Sequence, residues 1–369
     1  MTISWNDANG RRITCLNWCN GLSLSDVKRY EENCDELQIC YPNNLSEDIH
    51  RFYGEGLIYT ELDGHWKGEA HSLQVNLLLD DNSILNNCSK TRKYEIRRAR
   101  ERDGLTVSFE KNLNEEQLQY FEHYYNVFAK QVGELSPLDI RKVSALNESA
   151  QFVIAKVMDR DGEDLTIHGC IIDNQQGISA LHSSCSFFRE NPEKRALIGR
   201  ANSLLHYESI LYFKRLGFRF YDFGGIYQGD KNKHYANVAS FKKSFGGNIV
   251  SFQNGFVIPF SELQKIDKKL KTYYLEIEQA DICLWGYSHF GKYTEEFLSK
   301  KFHKKCKWVI DNKLCLVDDH CFNDSILHEI DEKKCLVLLT VSKEHYTEII
   351  QNKQFERYIV NNRIIGLRT

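Results

Sequence analysis

The sequence lacks proline, long apolar runs and an excess of charge of either sign, and each absence excludes a class of protein. Only 4 of its 369 residues are proline, which argues against long disordered linkers. No apolar run approaches the roughly 20 residues that a membrane-spanning helix needs. The formal net charge is −3, so no global field draws the chain to nucleic acid or to a membrane. We therefore expect two or three folded domains and no membrane span.

The cysteines also lack any metal-binding spacing. None of the 12 forms a CxxC pair, and no partner pair follows Cys15 and Cys19 at zinc spacing, so we expect no metal site. The first residues lack the basic and apolar segments of a secretion signal. These features predict a cytoplasmic protein with reduced thiols, in which Cys185 is the one candidate nucleophilic cysteine.

What is present is organised around residues 194–247. Arg195 and Arg200 flank Gly199 in a predicted loop, and an apolar stripe predicts a helix over 201–216. A short strand follows and breaks at two consecutive glycines. A helix N-terminus with two arginines suits a phosphate or a carboxylate. The alternative is an ordinary helix–turn–strand unit with solvated arginines.

A second basic segment lies upstream, between residues 90 and 102. On a helix, Lys90, Lys93, Arg97 and Arg100 share one face. This face is either simply solvated or a platform for phosphates, which would belong to a nucleotide-sugar acceptor, a CoA donor or a tRNA acceptor stem.

Alternating apolar residues predict strands in several places, and turn residues separate them. The predicted strands are Ile13–Trp18, Leu37–Tyr41, Phe152–Met158, Asp164–Asp173 and Gly177–Ser186, with a glycine-interrupted strand or hairpin at Tyr53–Tyr59 and an aromatic-rich helix at Leu118–Val132.

Four blocks in this order resemble the FemABX-like acyltransferases of the GNAT superfamily. The blocks are Ser89-Lys90-x-Arg92-x-x-x-Ile96-Arg97-Arg98-Ala99, Ile198-Gly199-Arg200-Ala201-Asn202, Tyr221-Asp222-Phe223-Gly224-Gly225-Ile226 and Phe241-Lys242-x-Ser244-Phe245-Gly246-Gly247. The resemblance covers roughly Leu73 to Phe260. It implies an α/β fold with a GNAT-like core and a mixed central sheet over 73–260, after an eroded GNAT-like half at 1–72. The implied activity is acyl transfer to an amine.

The resemblance also assigns candidate roles. Lys242 lies in the pattern whose lysine stabilises the oxyanion and orients the donor, and Lys243 is its weaker neighbour. Asp222 is either a general base, a carboxylate that binds the acceptor, or a side chain that holds the Gly224-Gly225 turn. The remaining candidates are His182 and His206 as general bases or structural histidines, and Tyr207 and Tyr227 as lining of an acceptor pocket.

The donor and acceptor follow from the same resemblance. Arg195, Gly199, Arg200 and Lys243 are candidates for binding the donor or its phosphates, and Lys93, Arg97, Arg100 and Tyr227 for the acceptor. The loop has one residue more than the usual R/Q-x-x-G-x-G/A pattern, which leaves aminoacyl-tRNA as the donor, with acyl-CoA as the alternative. The expected acceptor is an amino sugar or nucleotide-sugar of a surface polysaccharide, or a peptidoglycan stem peptide. No tightly bound cofactor is expected. A non-catalytic nucleotide-sugar-binding or assembly protein is the alternative of another class.

The composition changes after Phe260. A lysine-rich helix at 261–280 is expected to connect the core to a Rossmann-like domain at 281–369. Its predicted strands are Ile282–Trp285, Trp308–Ile310, Cys335–Val341 and Tyr358–Val360. Gly286, Ser288 and Gly291 form a nucleotide-type loop in which Ser288 replaces the middle glycine, and Asp311 ends the second strand. A structural or docking role and nucleotide binding both remain open for this domain.

Overall fold

The structure, a computed structural model, describes residues 1–53, 70–133, 135–187, 192–229, 232–253, 255–312, 314–316, 320–341, 343–351, 356–360 and 363–367. The predicted hairpin after Tyr53 lies outside these residues. The chain divides into two compact units: the first comprises residues 1–21, 39–44 and 60–255, and the second comprises 22–38, 45–59 and 256–369.

The elements follow in chain order. The N-terminal part contains β1 (Thr2–Asn6), β2 (Arg12–Asn17), α1 (Leu24–Glu31), β3 (Glu36–Cys40) and α2 (Glu47–Tyr53). The central part contains β4 (Ala70–Asn76), α3 (Asp81–Asn87), α4 (Lys90–Glu101), β5 (Thr106–Glu110), α5 (Glu115–Val132), α6 (Ile140–Glu148), β6 (Phe152–Met158), β7 (Asp164–Asp173), β8 (Ile178–Ser186), α7 (Arg195–Arg215), β9 (Phe220–Gly225), α8 (Lys233–Lys243) and β10 (Asn248–Phe252). The C-terminal part contains β11 (Phe256–Ile258), α9 (Phe260–Leu270), α10 (Tyr274–Gln279), β12 (Asp281–Trp285), α11 (His289–Phe302), β13 (Trp308–Ile310), β14 (Cys321–Phe322), β15 (Cys335–Leu339), α12 (Lys343–Ile350), α13 (Glu356–Val360) and β16 (Ile364–Gly366).

The first unit is built on a seven-stranded sheet in the order β10-β4-β9-β8-β7-β6-β5. All neighbours in it are antiparallel except β8 and β9, which run parallel. The expected mixed sheet is therefore confirmed. The α7 helix connects β8 to β9, as parallel neighbours need a crossover.

Helices cover both faces of this sheet. On one face, α4 and α7 enclose a core that contains Ile96, Leu204 and Phe213. On the other, α5, α6 and the β1–β2 hairpin enclose a second core around Phe121 and Val143. The α7 helix is buried around most of its circumference, as expected for a helix packed on a sheet and against α4.

Local sequence explains where the helices begin. Asn114 and Gln117 form a reciprocal capping box at the start of α5, and Ser89 caps α4 through the amide of Arg92. Both arrangements satisfy amides that have no partner within the helix. The α5 helix ends at Gly133, whose φ of +79° is the left-handed conformation that glycine adopts readily.

The second unit contains a five-stranded parallel sheet in the order β14-β13-β12-β15-β16. Numbered along the chain within this sheet, the order is 3-2-1-4-5, so the direction of winding reverses between β12 and β15. Every residue of β15 is buried, which agrees with a parallel sheet covered on both faces.

Two predicted elements of the second unit are wrong. Tyr358–Val360 belongs to α13 and not to a strand, because the side chain of Tyr358 is buried and donates to the carbonyls of Leu327 and Ile330. The last strand of the sheet is Ile364–Gly366. The predicted continuous helix over 261–280 is interrupted by a 3₁₀ turn at Lys271–Tyr273. Among the described helices, none is both long and apolar enough to cross a bilayer.

Candidate active site

The parallel strands β8 and β9 separate halfway along their length. They pair only through Ile178–Ala180 and Phe220–Asp222. Immediately beyond, β8 carries a bulge: Cys170 of β7 faces Leu181 and Gly169 faces Ser183, so His182 has no opposite residue. A bulge adds one residue to one strand and bends it. The two strands therefore diverge at His182.

The divergence leaves a chamber of about 150 Å³ in the first unit. Its wall is formed by Met1, Asn17, Trp18, Cys40, Tyr41, Lys142, Leu146, Ile171, Ala180, Leu181, His182, Asp222 and Gly224. Its volume is below the roughly 300–1,000 Å³ of a typical ligand pocket. The chamber thus has room for the reacting end of a substrate and not for a whole nucleotide-sugar.

Asp222 lies in this wall, and three donors hold its carboxylate. Ser72 and the Gly224 amide, the latter at 2.6 Å, donate to Oδ1, and Gln74 donates to Oδ2 at 2.9 Å. Burial raises the pKa of Asp222, and these three hydrogen bonds act against that rise. A carboxylate has about four acceptor positions. Asp222 therefore holds β4, β9 and the turn at Gly224 (φ +73°), the structural alternative considered above.

Lys242 reaches the end of the same strand from the last turn of α8. Its Nζ donates to the carbonyl of Gly225 at 2.6 Å. Its charge acts against the burial that raises the pKa of Asp222 and adds to the burial that lowers the pKa of His206. The half-buried ammonium therefore lies beside the carboxyl end of β9. A cation in this position suits stabilisation of an oxyanion.

A buried arginine that the sequence reasoning did not assign holds the segment with Lys242. Arg92 of α4 donates from Nε to Ser244 Oγ at 2.9 Å and pairs with Glu95 at 2.5 Å. Its guanidinium stacks on the rings of Phe241 and Phe245, with 4.2 and 4.8 Å to the centroids. The helical spacing of the sequence could have indicated this, since Arg92 lies four and seven residues before Ile96 and Ala99 and therefore on the same buried face of α4.

The two histidines lie in different environments. His182 lines the chamber, where its side chain is exposed to solvent, and desolvation by the surrounding wall, aided by the charge of Lys142, lowers its pKa to about 3. His206 is buried outside the chamber wall, against the rings of His168 and Phe223, and burial holds its pKa well below the usual value. Both are therefore neutral at pH 7.

The candidate thiol at Cys185 is not exposed. Its side chain is fully buried, and Sγ lies 3.7 Å from the carbonyl of Ile167. Burial in an apolar core suits a structural cysteine.

The predicted loop at Gly199 is wrong. The α7 helix begins at Arg195, so Gly199 is its fifth residue, and a side chain there would meet no neighbouring atom within 4 Å. The side chain of Arg200 forms an ion pair with Asp103, with Nε 2.6 Å from the carboxylate, and donates a hydrogen bond to the carbonyl of Ala196. Arg195 is exposed at the first position of the helix.

The four basic residues predicted to share a face lie on one helix, α4, as their spacing requires. Lys90, Lys93 and Arg97 line an open cleft of about 400 Å³, together with Asn86, Tyr94, Arg98, Glu101 and Arg102. Arg100 is not part of this lining, since its side chain pairs with Glu208 of α7 and stacks on Tyr207. The remaining face is basic and solvent-accessible.

The other two candidates lie close to α8. Tyr227 is half-buried, with its hydroxyl 3.4 Å from the amide of Asn232 and its ring 5.9 Å from that of Tyr235. Lys243 is exposed at the last residue of α8. The donor and acceptor roles of these residues stay predictions. Across the described ranges no group of three histidine, cysteine or acidic side chains has the geometry of a metal site.

Comparison with known proteins gives structural similarities only. No family model and no curated protein matches the chain. It is similar to FemX, with 16% identity, a TM-score of 0.44 and coverage of 67% of this chain and 72% of FemX. It is also similar to L-PGS from Bacillus licheniformis, with 12% identity, a TM-score of 0.39 and coverage of 70% of this chain and 83% of L-PGS. A third similar structure is Saccharomyces cerevisiae N-myristoyltransferase with bound myristoyl-CoA, with 13% identity, a TM-score of 0.29 and coverage of 52% of this chain and 50% of that enzyme. FemX is thus among the structures that this chain resembles, as the sequence motifs predicted; at these identities and TM-scores no activity is carried over.

The nucleotide-type loop of the second unit is closely packed. A side chain on Gly291 would lie 2.1 Å from the carbonyl oxygen of Gly286, and one on Gly286 would lie 2.8 Å from Val341. The Asp311 carboxylate accepts from the amides of Tyr287 at 3.1 Å and Leu314 at 3.0 Å. Ser288 occupies the N-cap position of α11, but its side chain makes no capping hydrogen bond. The glycines therefore serve the contact between loop and helix, and Asp311 orders the loop.

Proposed function

We propose that this chain is a cytoplasmic acyltransferase that joins an acyl or aminoacyl group to an amine of a cell-envelope precursor. The observation that carries the proposal is the chamber where β8 and β9 separate, with the Lys242 ammonium at the end of β9. The preferred acceptor is an amino sugar or nucleotide-sugar of a surface polysaccharide, and a peptidoglycan stem peptide is the second choice.

The chemistry assigned to the chamber is addition followed by elimination. The amine nitrogen attacks the carbonyl carbon, and the negative charge that develops on the carbonyl oxygen is stabilised by Lys242. The C–O or C–S bond to the donor then breaks, and the proton of the amine leaves with the donor's oxygen or sulfur or through water. His182 is neutral but a weak base with a pKa of about 3, so the amine enters this scheme already deprotonated.

The donor is proposed to be an aminoacyl-tRNA, with acyl-CoA as the alternative. The cleft lined by Lys90, Lys93 and Arg97 is open and basic, which suits a phosphate backbone. Arg195, at the first position of α7, and Lys243, at the last position of α8, are exposed and are the remaining candidates for phosphate contacts. No resident cofactor is part of this scheme.

One observation favours a second candidate, a non-catalytic protein that binds a nucleotide-sugar or assists assembly. The Asp222 carboxylate receives three internal hydrogen bonds and His182 is a weak base, so the described wall of the chamber presents no strong general base.

A donor test separates these candidates. Purified protein is incubated with a pool of UDP-amino-sugars and stem peptides plus either charged total tRNA or a panel of acyl-CoA thioesters, and products are followed by mass. Product that requires charged tRNA and disappears with ribonuclease supports the aminoacyl-tRNA donor, and product only with a thioester supports acyl-CoA. Tight UDP-sugar binding with no product from any donor would instead support the non-catalytic candidate.

A further inference from the structure

An ammonium group in the chamber wall has no carboxylate partner in the part of the chain that the structure describes. Lys142, on α6, lines the chamber, and its Nζ lies 5.4 Å from the centroid of the Trp5 ring. Burial acts to lower the pKa of Lys142, and the charges of Cys15, Cys40 and Asp139 raise it, but none of the described carboxylates lies within 4.0 Å of Nζ. Buried charges are normally paired, so this ammonium is suited to an anion that enters the chamber.

A second donor in the same wall also lacks a partner. Trp18 is only 5% exposed, and among the described atoms its indole Nε1 has no acceptor. Trp18 lines the chamber next to Tyr41, with the two rings stacked at 6.2 Å and 16°. Trp18 therefore brings a buried and unsatisfied donor to the wall of the chamber.

The backbone at this wall is strained as well. Trp18 has φ +49° and Tyr41 has φ +51°, the left-handed region that bulky residues seldom adopt. Strain of this kind persists where the surroundings impose it and is frequent at ligand-binding walls. It adds to the two unsatisfied donors, which carry the inference.

We propose that the chamber binds a carboxylate group, to which the Lys142 ammonium and the Trp18 indole N–H donate. The inference rests on the function proposed above: the amine acceptor also carries a carboxylate close to its reacting nitrogen. Its substrate class is then an amino acid, a peptide end or an acidic amino sugar.

Charge and size favour a carboxylate over a phosphate. The chamber is small, about 150 Å³, and Asp222 lies in its wall, so an entering anion would lie close to that carboxylate. One ammonium compensates one negative charge, while His182 contributes none because its pKa is about 3. A phosphate dianion would keep one uncompensated charge in the same small chamber as Asp222.

The neighbouring thiols do not take the place of the anion. Cys15 and Cys40 have their sulfurs 3.7 Å apart, and a hydrogen bond from Cys40, opposed by burial and aided by Lys142, lowers the pKa of Cys15 to about 6. No hydrogen bond joins either sulfur to Lys142 among the described residues, so the Lys142 charge acts on Cys15 at longer range. The nearest partners of the Cys15 sulfur are the Cys40 thiol and the Asn17 amide, which donates to it at 3.4 Å.

Small probes test the proposal independently of turnover. Propionate, the isosteric but neutral propionamide and inorganic phosphate are titrated into the full chain by calorimetry and by tryptophan fluorescence. We expect propionate to bind at least about tenfold more tightly than propionamide, because a hydrogen bond to a charged group contributes about 1.5–3 kcal/mol. Equal binding of the two, no propionate binding at all, or a preference for phosphate overturns the proposal.

Variants locate the site. Lys142→Met should weaken propionate binding at least about tenfold and leave propionamide unchanged, while Lys142→Arg retains most of the binding and guards against a folding artefact. Trp18→Phe should weaken propionate binding less than Lys142→Met does. The matched control is Lys130→Met, an exposed lysine on α5. Unchanged propionate binding in Lys142→Met, with the fold intact by circular dichroism, overturns the assignment.

A turnover arm separates this inference from the proposed function. Amine acceptors with and without a neighbouring carboxylate are compared in the donor test, with KM and kcat measured for the native chain and Lys142→Met. A rise in KM confined to carboxylate-bearing acceptors supports the inference. If propionate binding depends on Lys142 but no donor gives product, the proposed function fails and the carboxylate site stands. If a donor gives product but propionate binding does not depend on Lys142, the proposed function stands and the carboxylate site fails.

Discussion

The molecule contains two places where a ligand is expected at the ends of parallel strands, and they differ in how their polar groups are satisfied. In the second unit, β12 and β15 stay paired over all five residues from Asp281 to Trp285. The Thr340 hydroxyl donates to the carbonyls of Trp285 and Gly286 just beyond the pairing, and Asp311 holds the loop. In the first unit, β8 and β9 pair over three residues and then separate.

The difference shows that the position of a site in a fold is less informative than its unsatisfied groups. The loop after β12 has the order of a nucleotide site, yet its glycines and acid are used for internal contacts. The chamber between β8 and β9 has no recognisable loop motif, yet Lys142 and Trp18 present donors without described acceptors. Buried polar groups are rarely left unpaired without a reason. We call the chamber between β8 and β9 the open site and the loop after β12 the closed region. Substitutions in the open site should change binding or catalysis, and substitutions in the closed region should change stability.

The largest effect is expected at Lys242. Replacing it with methionine removes the ammonium beside the end of β9 and should lower kcat about 100-fold or more, the range seen when one oxyanion donor is removed. The measurement is product formation under the donor condition that gives turnover. The control is the surface variant Lys130→Met, and a kcat within threefold of the native value in Lys242→Met would exclude the role.

The next effect concerns the support of the open site. Arg92→Met removes a buried guanidinium that bonds Ser244 and Glu95 and should lower the free energy of unfolding by about 3 kcal/mol. Arg92→Lys should not restore it, since an ammonium lacks the planar fork and the stacking surface. Urea unfolding gives the values. The exposed Arg97→Met serves as the comparison and should change stability by less than about 0.5 kcal/mol; equal losses in both variants would refute the account.

A pair of glycine substitutions tests the closed region. Gly291→Ala places a Cβ 2.1 Å from the Gly286 carbonyl and should destabilise the chain by about 2 kcal/mol through overpacking. Gly199→Ala lies within α7 with no atom nearby and should stabilise it by about 0.5–1 kcal/mol, the difference in helix propensity. Thermal and urea unfolding of both variants provide the test. A destabilised Gly199→Ala would argue for a close contact at that position.

The smallest effect is the acid sensitivity of the chamber. His182 has a folded pKa of about 3 against about 6.5 unfolded, so below pH 6.5 the unfolded chain binds a proton that the folded chain does not. Stability therefore falls on acidification and is not lost at higher pH; since the side chain of His182 is exposed to solvent in the chamber, the fall from this group is small. His182→Gln should reduce the slope between pH 6.5 and 5. An identical slope in the variant would show that His182 is protonated in the fold.

The strands of the first unit were largely predictable from sequence. The three strands predicted over 152–186 agree with β6, β7 and β8 within one residue, because alternation and turn residues are local signals. The start of α7 was predicted six residues late, because glycine has a low helix propensity and Gly199 was assigned to a loop. A helix that is stabilised by tertiary packing tolerates a glycine at that position. No helix was predicted over residues 233–243, which form α8, because their sequence has little amphipathic pattern.

The candidate site was predictable only in part. Lys242 and Asp222 were found from motifs, and the structure places both at the end of β9. Lys142 and Trp18 were missed because each is remote in sequence from the motifs and is brought to the chamber by α6 and by the chain after β2. Single-sequence patterns report on one element at a time, whereas an unsatisfied donor is a property of the assembled wall.

The bulge at His182 has a consequence for how β8 tolerates changes in length. Before it, Ile178 and Ala180 face the core around Phe121; after it, Cys185 and Phe187 do so, so the inward positions change from even to odd numbers. Side chains on a strand alternate with a period of two. Because the extra residue is what shifts the alternation, deleting one residue at the bulge would restore a regular strand and leave Cys185 and Phe187 on the same core. A deletion elsewhere in the strand that kept the bulge would instead turn the far half over. Sequences that share this fold should therefore lose a residue of this strand only together with the bulge.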